Sequence, residues 1–411
     1  MEDQPLHILI VPSVPFVPKE TPLEGIFERW QAKALHRNSY KVGVIAPQLR
    51  SVRMLKHKLF GWPRGIEIDY DENMPVFRYH AWSYPQRLTS LSQWQWMRTA
   101  MILFKRYVKE RGRPDIIHAH NAVAAGLVAS RIKDKYKIPY VLTEHSTFYL
   151  RELFSSKTLS SVRSASINAD ARIVVSPRLG NDLEKVLGKD VVPWEVVGNV
   201  LDELFVEKGD SGDTGRQFRD RFVFLSAGNL IEIKGHGDLL SAFALEFRGN
   251  ANVHLRIAGE GPLRNELGTL SKKLGIAGQV TFLGYLNRQE ILEQMCACDA
   301  YVHSSHYETF GVTIIEALAC GKPVVSTACG GPEYIVNQQN GTLAPVMDIK
   351  AIADAMGVMM VKAKGYDSKQ IREHCISRFG ERAIVDKLSA IYRRVLENST
   401  AELGKDVFRL E

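Results

Sequence analysis

The sequence has 411 residues, of which 45% are hydrophobic and 24% are charged, and its net charge is +7. This length suits two domains of roughly 200 residues each, and the composition is that of a soluble globular protein. The absence of an apolar run of about 18 residues argues against a transmembrane helix. The apolar stretch HILIVP is too short for a signal peptide, so we expect a cytoplasmic protein.

Charge is divided unevenly between the two halves of the chain. Residues 1–200 contain 29 Lys and Arg against 19 Asp and Glu, a net charge of +10, and the remainder contains 24 against 27, a net charge of −3. We therefore expect the first half to meet an anionic partner. The basic and apolar segment 50–64 suits either an anionic membrane surface or a solvated helix packed by one face. Nucleic acid is not expected, because the aromatic residues of a known binding module are missing.

Cysteines and acidic residues give no metal motif. The five cysteines are an odd number, all lie in the second half, and are expected to be reduced core thiols: Cys296, Cys298, Cys320, Cys329 and Cys375. Asp69-Tyr70-Asp71 has an Asp-X-Asp form that can bind metal, but so short a match is common and it follows no convincing strand. The sequence therefore predicts no metal site.

Alternating strands and helices run through both halves. Strands are predicted at 6–11, 42–46, 115–120, 140–143, 172–176 and 195–197, and again at 222–227, 255–258, 280–283, 301–303 and 323–326. His120 and His145 lie at the ends of two of these strands, where α/β sheets bind ligands. A lone histidine more often has a core or capping role, and for both residues the strand position alone leaves a ligand role open. A polar loop is predicted at 208–215, just after the boundary between the halves.

The most informative stretch contains Glu308 and Glu316, which are eight residues apart. The pattern predicts a loop to Phe310, a helix over 311–320 and a stop at Gly321. Glu316 is the only charged residue from Thr309 to Gly321, and a buried carboxylate needs hydrogen-bond donors. These donors are either the ribose hydroxyls of a nucleotide or a core Arg or Lys. The free amides of the helix's first turn suit a diphosphate.

ETFGVTIIEALACGKPVV resembles the paired-glutamate motif of retaining glycosyltransferases with the GT-B fold, family 4, also called group 1. The resemblance implies two Rossmann-like domains with parallel sheets that face a central cleft. Residues 1–200, with a C-terminal helix at about 390–411, are expected to form the acceptor domain. Residues 201–389 are expected to form the nucleotide-sugar donor domain.

The resemblance also implies site residues. His145, Lys234 and Glu308 match the family's catalytic positions. The positions that match donor-binding residues are Gly25, Asn229, Lys234, Gly284, Tyr285, Glu308, Phe310, Gly311, Val312 and Glu316. The family usually has an Arg where this chain has Asn229, so either Lys234 and the helix amides neutralise the diphosphate, or another cation such as Arg288 substitutes.

The implied reaction is the metal-independent transfer of a sugar, with retention of configuration and without a cofactor. The expected donor is a nucleotide-diphosphate sugar, and the expected acceptor is a glycan or a polyprenyl-diphosphate-linked glycan, anionic in view of the basic first half. Such an enzyme would serve cell-surface polysaccharide synthesis, with peripheral contact at the inner face of the plasma membrane. The alternatives are a nucleotide-sugar 2-epimerase of the same fold and a non-catalytic sugar-nucleotide binding subunit.

Overall fold

The computed structural model describes residues 5–16, 25–51, 64–83, 89–145, 155–209 and 221–407. The chain forms two compact units. Unit 1 comprises Met1–Val175, Gly180–Val200 and Ile384–Glu411, and unit 2 comprises Ser176–Leu179 and Leu201–Ala383. The acceptor and donor roles expected for the two halves of the chain stay predictions.

Unit 1 contains an eight-stranded sheet. Its strands are β1 His7–Pro12, β2 Lys41–Ser51, β3 Gly65–Asp71, β4 Met74–Ser83, β5 Ile116–His120, β6 Tyr140–Glu144, β7 Ala171–Val174 and β8 Glu195–Val196. Their order across the sheet is β3-β4-β2-β1-β5-β6-β7-β8. β2 to β4 lie on one side of β1, and β5 to β8 lie on the other side. The direction in which successive strands are added therefore reverses between β1 and β5. Ligands of open α/β sheets bind at such a point.

The sheet of unit 1 is parallel, as expected, except at one edge. β3 pairs with β4 antiparallel, and the two-residue turn between them has positive φ angles of 51° at Glu72 and 67° at Asn73. This is the backbone of a tight hairpin, which Asn tolerates well. Asp69 and Asp71 therefore do lie on a strand, contrary to our prediction. They form ion pairs with Arg78, Arg29 and Lys33.

Unit 2 contains a six-stranded sheet. Its strands are β9 Phe222–Ala227, β10 Val253–Ala258, β11 Val280–Gly284, β12 Ala300–His303, β13 Val324–Thr327 and β14 Gly341–Ala344. The order is β11-β10-β9-β12-β13-β14, and all of these pairs are parallel. The strand order of this sheet reverses between β9 and β12.

Fourteen α-helices connect these strands within the part of the chain that the structure describes. They are α1 Ile26–Arg37, α2 Thr89–Arg111, α3 Leu127–Tyr136, α4 Ser156–Asn168, α5 Pro177–Leu187, α6 Glu203–Lys208, α7 His236–Phe247, α8 Arg264–Lys273, α9 Arg288–Ala297, α10 Val312–Ala319, α11 Pro332–Ile335, α12 Ile349–Lys362, α13 Ser368–Phe379 and α14 Glu381–Val407. A π-helical turn, Ala122–Gly126, leads into α3.

Each unit has its own hydrophobic core. In unit 1 the apolar strand residues Ile8, Ile10 and Val44 pack with Leu388 and Tyr392 of α14, and all five are buried. The last helix thus completes the core of the unit that begins the chain. In unit 2 the core lies between the sheet and the helices that cover it, chiefly α7 and α12.

Two sequence-based expectations fall largely outside the described residues. The basic segment 50–64 is one of these, and its residues 52–63 lie outside the described residues. The polar loop 208–215 is the other, and its residues 210–215 lie outside them. Over the ranges that the structure does describe, no helix combines the length and apolarity needed to cross a bilayer.

Candidate active site

An ion pair between Lys234 and Glu308 lies at the strand-order reversal of unit 2. Lys234 follows β9 and Glu308 follows β12, so the two side chains come from the strands on either side of the reversal. Lys234 Nζ is 2.6 Å from Glu308 Oε2, and the side chains are 26% and 18% exposed. A ligand in this crevice therefore meets a cation and a carboxylate that the protein largely covers.

Two glycines let the backbone around this pair approach closely. Gly235 has a φ of +63°, and a Cβ there would lie 2.0 Å from the carbonyl oxygen of Ser304. Gly330 has a φ of +125°, and a Cβ there would lie 2.6 Å from the carbonyl oxygen of Glu308. The Glu308 amide in turn donates to the carbonyl of Cys329 at 3.0 Å. A side chain at either glycine would displace the backbone that holds the ion pair.

The charge on Glu308 depends on its neighbours. Burial acts to raise the pKa of this carboxyl, but the positive charge of Lys234, with smaller contributions from His303 and backbone, brings the pKa below its ordinary value. His303 Nε2 lies 3.8 Å from Glu308 Oε2. Burial lowers the pKa of His303, like that of nearby His236, to about 4. At neutral pH the site therefore contains one cation, one carboxylate and two neutral imidazoles.

The amino end of α10 lies directly after the glutamate loop. Gly311 is its N-cap, with a φ of 105°, and no side chain in the described ranges caps the helix. The N–H groups of a first helical turn and the helix dipole favour an anion, and Val312 opens that turn. The Phe310 side chain is buried and packs edge-on against Phe379, with ring centroids 5.4 Å apart. Any donor contact of Phe310 must therefore come from its backbone.

Glu316 is buried on α10 and paired with Arg288. Arg288 Nη2 is 2.6 Å from Glu316 Oε1 and 2.9 Å from Asp202 Oδ2, so one guanidinium holds two carboxylates. The sequence left two kinds of donor open for Glu316, ribose hydroxyls or a core Arg or Lys, and the structure places Arg288 in the second role. Glu316 Oε2, however, is buried without a hydrogen-bond partner among the described residues. Burial raises the pKa of Glu316 even though Arg288 acts to lower it.

Arg288 is therefore poorly suited to replace the Arg that the family usually has at the position of Asn229. Its charge is already matched by two carboxylates, and its guanidinium also lies over the ring of Phe205 at 4.8 Å. Asn229 itself is exposed just after β9. Lys234 remains the predicted diphosphate cation.

The other predicted donor residues lie at turns. Gly284 ends β11 with a φ of 73°, and its carbonyl accepts from the Gly259 amide at 2.8 Å. Tyr285 is 59% exposed, so its ring is available to a ligand. Gly25 lies in unit 1 as the left-handed N-cap of α1, with a φ of 70°. The donor contacts of these residues stay predictions.

Three imidazoles of unit 1, His118, His120 and His145, form what we call the histidine ladder. His118 is anchored at both nitrogens, by the Tyr392 hydroxyl at 2.6 Å and by Thr143 Oγ1 at 2.7 Å. His120 stacks on His118 with ring centroids 4.5 Å apart. His120 Nδ1 is 3.0 Å from His145 Nε2. The ladder therefore connects the predicted catalytic His145 to a helix near the end of the chain.

The outer rungs of the ladder, His120 and His145, each have one nitrogen that no described residue satisfies. His120 Nε2 and His145 Nδ1 are buried and have no partner of normal hydrogen-bond geometry among the described residues, although the Asn199 side chain lies close enough to act against the lowering of the His145 pKa. Burial lowers the pKa of His145 to about 4 and that of His120 well below its ordinary value, so both are neutral at pH 7. The two rings share one hydrogen bond, so one of the unpartnered nitrogens is a donor and the other an acceptor. Sugar hydroxyls both donate and accept.

Comparisons with known proteins agree with this geometry. A family model described as "Glycosyl transferases group 1" matches residues 214–367, and one described as "Glycosyltransferase Family 4" matches residues 31–203. An uncharacterized glycosyltransferase of Methanocaldococcus jannaschii is 30% identical over 334 residues, covering 75% of this chain and 78% of that protein. The chain belongs to the group 1 glycosyltransferases. A putative teichuronic acid biosynthesis glycosyltransferase of Bacillus subtilis is 26% identical over 372 residues, covering 85% of this glycosyltransferase and 88% of that protein.

Solved structures show the fold of this glycosyltransferase. Sucrose-phosphate synthase of Thermosynechococcus elongatus superposes with a TM-score of 0.75 at 20% identity, covering 95% of this chain and all of that one. Anabaena HepE in complex with UDP superposes with a TM-score of 0.70 at 20% identity, covering 94% and 99%. The GT-B fold expected from the glutamate motif is thereby confirmed.

The buried histidines predict an acid-sensitive glycosyltransferase. Burial lowers the pKa of His145, His236 and His303 to about 4 and that of His118 to about 3. In the unfolded chain each titrates near 6.5, so below that pH the unfolded state binds more protons and stability falls as pH drops. We expect urea unfolding to show a loss of up to about 1.4 kcal/mol per pH unit for each histidine.

A matched pair of variants tests the origin of this effect. His303→Gln removes one buried imidazole and should make the pH dependence of unfolding shallower between about pH 6.5 and about pH 4. His374→Gln removes an exposed imidazole of α13. This variant should show the same pH dependence of unfolding as the wild type. Identical pH profiles for the two variants would contradict the role of burial.

Sequence reasoning missed several residues that the structure brings into the site. Asp202 was missed, as was its pairing with Arg288, which had been considered only as a substitute diphosphate cation. The two residues are 86 positions apart, and no local pattern connects them. His303 was considered only as the end of a strand, although its position beside the glutamate loop placed it near Glu308. Asp202 had one usable signal, since it lies at the predicted boundary between the two halves of the chain.

In the six described ranges no group of three or more His, Cys, Asp or Glu side chains could hold a metal ion. The prediction that the reaction needs no metal stays untested. No disulfide joins any of the five cysteines, all of which lie in the described ranges, and four of them are buried.

Proposed function

We propose that this glycosyltransferase moves a sugar from a nucleotide-diphosphate sugar to a glycan or lipid-linked acceptor, with retention of configuration and without a metal. The carrying observation is the Lys234–Glu308 ion pair at the strand-order reversal of unit 2, directly before the amino end of α10. A cation, a carboxylate and unpaired helix amides together suit a ligand that has both phosphates and hydroxyls.

In this proposal Lys234 and the first turn of α10 bind the diphosphate. Lys234 is a compact cation, and its Nζ atom lies 2.6 Å from Glu308 Oε2. It would neutralise the charge that grows on the departing phosphate. The amides after Gly311 add partial positive charge without a mobile side chain. Glu308, ionised because of Lys234, would accept hydrogen bonds from sugar hydroxyls.

Glu316 would bind the ribose with the oxygen that Arg288 leaves open. Arg288 holds Oε1, which fixes the orientation of the carboxylate, whereas Oε2 is buried without a protein partner. A buried acceptor without a donor is costly, and a ribose hydroxyl would satisfy it. The ion pair and the nucleotide contact are therefore compatible roles of one side chain.

The transfer breaks the bond between the anomeric carbon and the diphosphate oxygen and forms a bond from that carbon to an acceptor hydroxyl oxygen. The bonding electrons leave with the diphosphate. The proton of the acceptor hydroxyl passes to a phosphate oxygen in a front-face reaction. In a double displacement Glu308 would first displace the diphosphate and form a covalent bond to the anomeric carbon. The acceptor hydroxyl oxygen would then displace Glu308, the bonding electrons would return to its carboxylate, and the hydroxyl proton would pass to a phosphate oxygen of the departed diphosphate. His145 would orient the sugar through its unpartnered Nδ1.

The acceptor is proposed from charge and from relatives. The first 200 residues have a net charge of +10, which favours an anionic acceptor or an anionic membrane surface that carries it. A relative at 26% identity is named as a putative teichuronic acid biosynthesis glycosyltransferase, and a product named as an acid is consistent with an anionic acceptor. Both support a role in cell-surface polysaccharide synthesis at the cytoplasmic side of the membrane.

A thermal-shift panel tests the nucleotide site. UDP, GDP, ADP and CMP are compared. One nucleoside diphosphate, at a concentration a hundred times its dissociation constant, should raise the free energy of unfolding by about 2.7 kcal/mol. The melting temperature should rise with it. Glu316→Ala should abolish the shift. A panel without any shift would contradict the proposed site.

Incubation of the donor with and without acceptor separates the reaction from its alternatives. Transfer should yield a glycosylated acceptor and free nucleotide. A 2-epimerase would change the sugar without acceptor, and a binding subunit would show a thermal shift without turnover.

A further inference from the structure

The outward face of α2 in unit 1 has the chemistry of a membrane surface. The buried residues Ala100, Leu103 and Phe104 point inward, whereas Leu91 and Trp94 are 45% and 54% exposed. Leu91, Trp94, Arg98 and Lys105 recur at spacings of three, four and seven residues, which places them on one side of the helix. Exposed apolar and basic residues thus share a face.

A cavity of about 330 Å³ lies on this face, between α2 and α3. Apolar residues of α2, including Trp94, Met97 and Met101, form most of its wall. The remaining lining residues are cations, namely Arg98, Lys105 and Arg131. We call these six residues the α2 patch.

The cations of the α2 patch are not matched by carboxylates. All three are exposed, and among the described residues none of them forms an ion pair, whereas neighbouring Arg106 is paired with Glu110. Arg98 lies over the Trp94 ring at 5.5 Å, and Arg131 Nη1 contacts Met97 Sδ at 3.7 Å. The guanidinium groups are therefore held against apolar side chains with their charge directed to solvent and no acid in the lining.

We infer that the α2 patch docks this glycosyltransferase on an anionic phospholipid bilayer. Trp and Met side chains suit the boundary between headgroups and acyl chains, and the three cations complement lipid phosphates. Stable membrane binding needs apolar contact and basic charge together. The α2 patch combines apolar side chains with three cations and so provides both. This inference rests on the proposed function and deepens it, because it assigns the membrane contact to α2 and α3. From the sequence alone, only segment 50–64 was considered for this contact.

Co-sedimentation of the full chain with vesicles tests the inference. The protein should bind vesicles of phosphatidylglycerol in phosphatidylcholine at low ionic strength, and bind pure phosphatidylcholine far less. The triple variant Arg98→Ala/Lys105→Ala/Arg131→Ala should lower the partition coefficient about a hundredfold, because each charge near an anionic surface contributes about fivefold. Trp94→Ala should weaken binding at high salt as well, where screening removes the charge contribution.

The matched control is Lys272→Ala/Lys273→Ala/Lys364→Ala, which removes three exposed cations of unit 2 and the same net charge. It should bind like the wild type. Equal losses in the two triple variants, or no binding of the wild type to anionic vesicles, would overturn the inference. Because binding is measured without turnover, and transfer to a water-soluble acceptor should persist in the α2 variants, its failure is distinguishable from failure of the proposed reaction.

Discussion

Replacing Lys234 with alanine is expected to lower the turnover of sugar transfer at least tenfold, and by about a hundredfold if Lys234 acts as a single charge-stabilising donor. The Nζ atom that contacts Glu308 at 2.6 Å would be lost from the crevice, so charge on the departing diphosphate would be less stabilised. Without this cation the pKa of Glu308 would also rise, because burial acts in that direction. Steady-state kinetics with saturating donor measures the effect.

Two controls separate chemistry from folding. Lys234→Arg keeps the charge but changes its geometry and should retain more activity than the alanine variant. Lys185→Ala removes an exposed lysine that pairs with Asp182 and should leave turnover unchanged. Wild-type turnover in Lys234→Ala would refute the assignment of Lys234 to the diphosphate.

The second large effect concerns the pair of Glu316 and Arg288. Glu316→Ala should cut transfer at least tenfold while the protein stays folded, since Arg288 keeps Asp202 as a partner. Arg288→Ala should instead lower stability by about 3–5 kcal/mol, because it leaves the buried Glu316 without a counter-ion. Kinetics and urea unfolding of both variants distinguish a nucleotide contact from a purely structural ion pair.

The pH dependence of Arg288→Ala gives a further check. Burial already raises the pKa of Glu316 in the folded wild type, and loss of Arg288 raises it further. The folded variant then binds a proton that the unfolded chain releases, so its stability should recover as pH falls through this raised pKa toward the ordinary value of 4.5. A loss of stability that is constant over this range would show that Glu316 is not the cause.

Local sequence patterns were sufficient for the glutamate helix. Gly311 and Gly321 both adopt positive φ angles at its ends, and an apolar run lies between them, so its bounds could be predicted within a residue or two. The hairpin of β3 and β4 was missed because its short strands are half-exposed and their alternation is irregular. Its turn, formed by Glu72 and Asn73, lacks the glycine that usually marks such a turn.

The polar partnerships could not be predicted, because they join distant parts of the chain. His118 and Tyr392 are 274 residues apart, and Lys234 and Glu308 are 74 apart. Each residue has a local reason for its position, such as the end of a strand or the face of a helix. Only the order of strands in the sheet decides which of these positions become neighbours.

The return of the last helix to unit 1 determines where the polypeptide can be cut. Ile384, Leu388 and Tyr392 fill the core beside β1, so a stop codon before α14 removes part of the interior of the first unit instead of a dispensable tail. Leu201–Ala383 is nearly the whole of unit 2 and can be cloned as one contiguous fragment. Unit 1 expressed by itself requires a linker that joins Val200 to Ile384 in place of the excised unit.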